Sequence, residues 1–458
     1  MVEPRGEAPV KAGCSAAIVA AMGLASSRAA AHGGQPQVSS IEFPAQLPGA
    51  VWALTDNQGL YARGADGSVE WLCEDAVAPG AGVRTIAVLG AAGERWLIST
   101  EEGTFFTLDR GCTFHLAPAP LEAQSVRAAS VHPSRLSEAV VVTDAFGGMN
   151  DIFLTTTAGR AWAPAGEDAR GRYRQLVRSP ADPERLWALS ELDLLTSSDG
   201  GRSWARLGLP QQARTPSDFK LLDGSPADGS VLFAAVEQFP ETLVLRSRDA
   251  GRSWAQITSV PDFPLTLAFD RAGRRGLLLA PFEGLRRTDD GGETWAAEPT
   301  PVDHLGCLTR QPGSDRLWGC TQIFFGGPWV LGRSDDFGRT WRAVVDRYEQ
   351  AIRWRCPPDT RGAGCCGHLC PGLPPGGRCE GQAATPAPLC ADPLPPVPDG
   401  AVEPDAGPAL DAGAEVHAAV DAVVGPDRGA AVDGAPSDVS PGHDAMPEAD
   451  ARRPRPDA

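Results

Sequence analysis

Tyrosine is scarce in this 458-residue sequence, three residues against twelve tryptophans, and only 22% of positions carry charge. No stretch reaches the roughly 18–20 consecutive apolar residues that a membrane-spanning helix needs. Basic excess is missing as well: the net charge is −17, so the sequence lacks the electrostatic footprint of a nucleic-acid binder. That acidity is local. Residues 391–458 hold 14 Asp/Glu against 4 Arg, leaving the remaining body close to balance. What the chain does have is glycine (52) and proline (42), together with 42% hydrophobic residues. Both break helices, so the balance favours many short strands and turns around a sizeable core.

The first 31 residues read as an export signal. Arg5 and Lys11 precede an apolar run from Ala12 to Ala25, and Ala29-Ala30-Ala31 offers a cleavage site before His32. Cys14 lacks the Leu three residues earlier that a lipoprotein anchor would need. The expectation is a secreted, periplasmic or cell-surface chain with no transmembrane segment after signal removal. Ten cysteines remain, an even number suited to disulfides in an oxidising compartment.

Four segments nearly superimpose: Ser197 to Trp204, Ser247 to Trp254, Thr288 to Trp295 and Ser334 to Trp341. Each reads Ser/Thr-x-Asp-x-Gly-x-Ser/Thr-Trp, with Asp199, Gly201 and Trp204; Asp249, Gly251 and Trp254; Asp290, Gly292 and Trp295; and Asp336, Gly338 and Trp341. Weaker copies start at Gly64, Thr107 (with Asp109, but ending in Phe114) and Thr155, giving intervals of 43, 48, 42, 50, 41 and 46 residues. That is the length of one four-stranded propeller blade. The Asp carboxylate can accept from its own loop's N–H groups, the Gly supplies a left-handed backbone, and the Trp is large enough to wedge between neighbouring blades.

Apolar strands flank each copy, for example Leu186-Trp187-Ala188-Leu189 and Leu194-Leu195 before the copy that starts at Ser197. Each repeat therefore reads strand, turn, strand, loop, strand, repeat turn, strand. A sheet of this kind cannot bury both faces alone, so the repeats must close into a ring. The fold class expected is an all-β propeller of about seven four-stranded blades over residues 38–350. It follows a signal (1–31) and short linker (32–37), and precedes a Cys-rich segment (351–391) and a disordered Ala/Pro/Asp-rich tail (392–458).

Over roughly residues 45–346 the repeat resembles the Asp-box, or BNR-repeat, propellers, a superfamily that includes sialidases, sortilin-type receptors and photosystem II assembly-factor propellers. The resemblance implies that the Asp-boxes are structural and lie at third-to-fourth strand turns, on the rim away from the ligand face. It also brings a rival reading, a diverged sialidase-like glycoside hydrolase. Against that rival, no Arg-Ile-Pro-like motif is found, and of Tyr61, Tyr173 and Tyr348 only Tyr173 falls near an inner strand.

In a four-stranded meander the second–third and fourth–first connections share the face opposite the repeat turns. Their loops carry Phe146, Phe239, Phe282, Glu283, Phe324, Phe325 and Trp329. Aromatics beside acids on one rigid face suit a protein or glycan contact, although rings plugging the channel are an equal reading. The expectation is a non-catalytic scaffold, a monomeric ring, with no cofactor, metal or nucleic-acid partner.

Cys307 and Cys320 flank the Gln311–Asp315 turn and are candidates for a cross-strand disulfide, whereas Cys73 and Cys112 are left over. Cys356, Cys365, Cys366, Cys370, Cys379 and Cys390 lie in a Pro/Gly-rich stretch and are candidates for a three-disulfide knot. A zinc site on Cys365, Cys366, His368 and Cys370 is the rival, disfavoured by the oxidising compartment and the spacing. The acidic tail buries too little apolar surface to offset its chain entropy.

Overall fold

Alternating apolar strands and glycine-rich turns fold each repeat into one antiparallel sheet, and seven such sheets form a seven-bladed propeller. The computed structural model describes residues 36–364, except 57, 79–80, 94, 123, 145–149, 166–171, 262–265 and 281–283. Blade 1 comprises Val38–Glu42, Val51–Thr55, Leu60–Arg63 and Val69–Leu72. Blade 4 comprises Tyr173–Arg178, Leu186–Ser190, Leu194–Ser197 and Ala205–Arg206, and blade 7 comprises Leu305–Arg310, Leu317–Thr321, Leu331–Ser334 and Arg342–Val345. The other blades begin at Val83, Val126, Phe219 and Thr266 and repeat the same meander.

The second and third strands are the most buried elements: every residue of Leu186–Ser190 and Leu194–Ser197 is buried. Apolar clusters straddle the seams between blades. One joins Trp187 and Leu189 of blade 4 to Phe219, Leu232 and Trp254 of blade 5, and another joins Leu277 of blade 6 to Leu305, Trp329 and Trp341 of blade 7. Burial between blades, each side chain contributing roughly 1.5–3 kcal/mol, is what closes the ring.

Closure does not use a composite blade, since all four strands of blade 1 and all four of blade 7 are consecutive in sequence. Instead the chain beyond blade 7 turns back as a strap. Tyr348 packs on Tyr61 at 4.9 Å, and Ile352–Arg353 pairs in parallel with the outer strand of blade 1. The strap then reaches blade 2, where Cys356 forms a disulfide with Cys112 and Gly362 N–H donates to the Cys112 carbonyl (2.9 Å). This corrects the knot expected from sequence, because Cys356 is spent on the ring and is not available to its downstream neighbours. Cys365, Cys366, Cys370, Cys379 and Cys390, the zinc alternative and the acidic tail lie outside the described residues. Cys307 and Cys320 are register partners on adjacent strands of blade 7 and are disulfide-bonded, with Cα atoms 5.0 Å apart. Cys73 is also disulfide-bonded. No described helix is long and apolar enough to cross a membrane.

Candidate functional site

The repeat turns define one face of the ring. In blade 6 the Asp290 carboxylate accepts from Thr288 Oγ1 (2.7 Å), Glu293 N (2.9 Å), Thr294 N (3.0 Å) and Thr294 Oγ1 (2.6 Å). Gly292 N donates to Thr288 Oγ1 (2.9 Å), and Trp295 Nε1 donates to the Gly292 carbonyl (3.2 Å). Asp199, Asp249 and Asp336 bond their own loops in the same way. The glycine is required twice over at Gly338: its φ is +86°, and an added Cβ would come within 2.4 Å of Leu277 in blade 6. Hydrogen bonding holds these acids ionised. The Ser253 hydroxyl lowers Asp249 to about 2, and at Asp336 the Thr340 and Ser334 bonds outweigh burial and bring it to about 2. Each of these carboxylates is committed to its own turn, with Oδ1 accepting from main-chain N–H and hydroxyl donors and Oδ2 from the Ser/Thr hydroxyl.

The opposite face carries the exposed apolar groups. Among the described residues five large hydrophobic side chains are exposed, and four of them, Leu192, Phe239, Phe324 and Phe325, sit on second–third connections of blades 4, 5 and 7. Phe239 tips a tight hairpin at 99% exposure. Phe324 and Phe325 lie in a short 3-10 turn, edge to face at 5.2 Å, with His304 stacked on Phe325 at 6.4 Å. Beneath them a cavity of about 170 Å³ is lined by Gln37, Val38, Gly306 and Thr321, smaller than the roughly 300–1,000 Å³ of a small-molecule site and fitted to a single side chain. Trp329 is a correction. It is 6% exposed and stacked on Trp341 at 5.9 Å, inside the seam between blades 6 and 7. The sequence placed it on a loop, but its ring is large enough to fold under into the seam. Phe146, Phe282 and Glu283 lie outside the described residues.

Sequence reading missed a second feature of this face. The innermost strands of blades 1, 2, 3, 4 and 7 carry a β-bulge one residue after their start, at Ser39, Arg84, Arg127, Arg174 and Gly306. A bulge re-aims the side chain it holds, and in three consecutive blades that side chain is an arginine at the channel mouth. Arg84 reaches Glu101 (2.9 Å) and Ser125 of the next blade (3.4 Å), while Arg174 donates to the carbonyls of Pro216 and Phe219 in blade 5. Arg127 is exposed, with no hydrogen-bond or ion-pair partner among the described residues. Desolvation, together with the Arg127 charge, pulls the Arg174 guanidinium below its ordinary value. Lys220, the second residue of the next inner strand, is likewise lowered by desolvation. The sequence signal was present, a basic residue at position two of four successive inner strands, but it is visible only once those strands are aligned.

The other end of the channel is acidic in part. Glu42 and Asp223, at or near the far ends of their inner strands, are reached by water yet ringed by protein. Desolvation pushes Glu42 up to about 7 against a Ser40 hydrogen bond, and Asp223 up to about 7 against the Gly224 N–H and the Arg310 charge. Glu42 borders a cavity of about 540 Å³ with Leu47, Val88, Ser130 and His132. All three tyrosines are buried, Tyr173 at 1%, so the described surface presents no tyrosine nucleophile. No cluster of three or more metal-ligating side chains occurs among the described residues.

No family model and no curated protein matches the chain. Among solved structures it is similar to an ancestral GH74 enzyme (TM-score 0.52, 16% identity, covering 68% of this chain and 46% of that one). It is similar also to a GH74 enzyme of Niastella koreensis (TM-score 0.48, 17% identity, 69% and 55%) and to YCF48 bound to D1 peptide (TM-score 0.46, 18% identity, 63% and 91%). The chain spans about half the length of the GH74 structures it matches. At this identity the likeness is one of fold.

Proposed function

We propose that this chain is an exported, non-catalytic propeller of the Asp-box type that binds a protein or glycan partner on the face opposite its repeat turns. The observation that carries the reading is the convergence on one face of Leu192, Phe239, Phe324 and Phe325 with the bulged Arg84, Arg127 and Arg174. Exposed aromatics supply contact area at low entropic cost. Guanidinium groups at the channel mouth select a partner bearing carboxylate or other anionic groups. The Asp-box assignment is supported by the turn hydrogen bonds shared by Asp199, Asp249, Asp290 and Asp336. Export is supported by the leader sequence and by disulfides at Cys112–Cys356 and Cys307–Cys320.

The test is a binding screen of the purified full chain against acidic peptides and anionic and neutral glycans, with Arg127→Glu and Phe239→Ser/Phe325→Ser as variants. Capture of an anionic probe that both variants weaken supports the reading; binding that neither touches overturns it. One observation favours a second reading, glycoside hydrolysis: Glu42 and Asp223 are channel acids held near 7, within the range of a general acid. Turnover of a glycoside that Glu42→Gln or Asp223→Asn abolishes would replace the scaffold by the enzyme.

A further inference from the structure

Six of the seven repeat turns end in tryptophan, and only the turn of blade 2 ends in phenylalanine, Phe114. In blades 3 to 7 that tryptophan packs into the seam with the preceding blade. Phe114 is buried at 1% in one apolar cluster with Trp52 and Leu72 of blade 1 and Trp96 of blade 2, but its ring has no N–H to bind a turn carbonyl. The turn of blade 2 is therefore left without the indole that the other repeat turns carry. The strap supplies an indole instead: Trp354 Nε1 donates to the Arg110 carbonyl (2.8 Å), and the ring lies edge-on to Trp96 at 5.6 Å. Both rings border a cavity of about 570 Å³ whose apolar wall also includes Leu47, Ala50 and Trp52. That volume lies inside the range of small-molecule sites, and the apolar wall is bordered by charged side chains.

The charge balance of the lining is specific. Asp109 is engaged by Thr107 Oγ1, Cys112 N, Thr113 N and Thr113 Oγ1, and Glu70 is paired with Arg355 at 3.3 Å. Arg63 and Arg110 also line the cavity, and their hydrogen bonds go only to main-chain carbonyls, of Gly64 (3.2 Å) and Ala92 (3.4 Å). Among the described residues neither guanidinium has a carboxylate partner. An aromatic-walled cavity whose lining carries three arginines against two carboxylates, with two guanidinium groups that lack a carboxylate partner, matches a ligand with an apolar ring and an anionic group.

We infer that the seam between blades 1 and 2 is a binding site for a small organic anion with a ring-bearing apolar body, roofed by Trp354 and charge-matched by Arg63 and Arg110. The site is on the repeat-turn side and is independent of partner binding on the opposite face. It is tested with the full chain and two probes, anilinonaphthalene sulfonate and its uncharged relative phenylnaphthylamine, followed by energy transfer from tryptophan. The expected result is saturable sulfonate binding that Arg63→Gln/Arg110→Gln weakens about ten-fold while the uncharged probe is retained. Trp354→Ala should weaken both probes, and Phe239→Ser/Phe324→Ser/Phe325→Ser neither. Should Trp354→Ala loosen the strap, the arginine pair carries the test, with near-UV circular dichroism verifying its fold. Sulfonate affinity unchanged in the arginine pair, equal loss of both probes in that pair, or loss only in the phenylalanine variant overturns the proposal.

Discussion

Cys112, in the repeat turn of blade 2, and Cys356, in the strap, are joined by a disulfide that spans 244 residues of sequence. Blades 1 and 7 share no strand, so this bond and the two-residue parallel pairing beside it add to the apolar packing of blade 7 on blade 1 in tying the end of the ring to its beginning. A cross-link stabilises by restricting the unfolded chain, and the restriction grows with loop length. The loop-entropy relation gives about 5 kcal/mol for this bond and about 3 kcal/mol for a loop the size of that closed by Cys307–Cys320, which are 13 residues apart. Cys356→Ser should therefore lower stability more than Cys320→Ser in denaturant unfolding of the oxidised full chain. An equal or smaller loss at Cys356 would mean that seam packing alone holds the ring.

Phe325 and Trp329 stand four residues apart on one loop, yet one is 61% exposed and the other 6%. Trp329→Ala removes a ring stacked on Trp341 and should cost about 3–5 kcal/mol. Phe325→Ala should stay within about 0.5 kcal/mol of the parent, as surface substitutions do. Thermal unfolding of both variants measures the difference directly; comparable losses would place Phe325 in the core as well.

The blade order and the face opposite the turns were legible in the sequence because both follow from a local repeat: Asp290, Gly292 and Trp295 each answer to hydrogen bonds or backbone angles within a few residues. The placement of Trp329 was not, since a ring on a loop can turn out or under and only the neighbouring blade decides. The strap was hidden for the same reason. Cys356 lies among closely spaced cysteines, and nothing local points it to Cys112. The arginine crescent was half visible. A basic residue recurs at one strand position, but the bulges that aim it come from pairing with the second strand.

Glu42 and Asp223 make stability depend on pH near neutrality. Each carboxyl is raised to about 7 in the folded chain from ordinary values of 4.5 and 3.8. Between these limits the folded state holds a proton that the unfolded chain has released, so stability falls as pH rises and the loss is complete above 7. Glu42→Gln should therefore be neutral at pH about 4 and stabilising by about 1–2 kcal/mol at pH about 8, the channel water screening the remainder. Thermal midpoints of parent and variant at the two pH values check it, and a gain at low pH would show that the glutamine acts through packing instead.

The repeat-turn aspartates impose the opposite slope at acid pH. Asp249 and Asp336 sit at about 2 in the folded chain, below the ordinary 3.8. A carboxyl lowered on folding stabilises fully above its unfolded value and loses that contribution as pH falls through the folded one. Parent stability should thus decline between pH about 4 and about 2. Asp249→Ala should cost about 1–2 kcal/mol at neutral pH by stripping acceptors from Ser247 Oγ, Ser253 N and Ser253 Oγ, and should flatten part of the acid slope. Binding on the opposite face should be unchanged, because the bonds lost belong to one turn. Partner capture that fails in Asp249→Ala while the ring stays folded would give that carboxylate a direct part in recognition, against its engagement by its own loop.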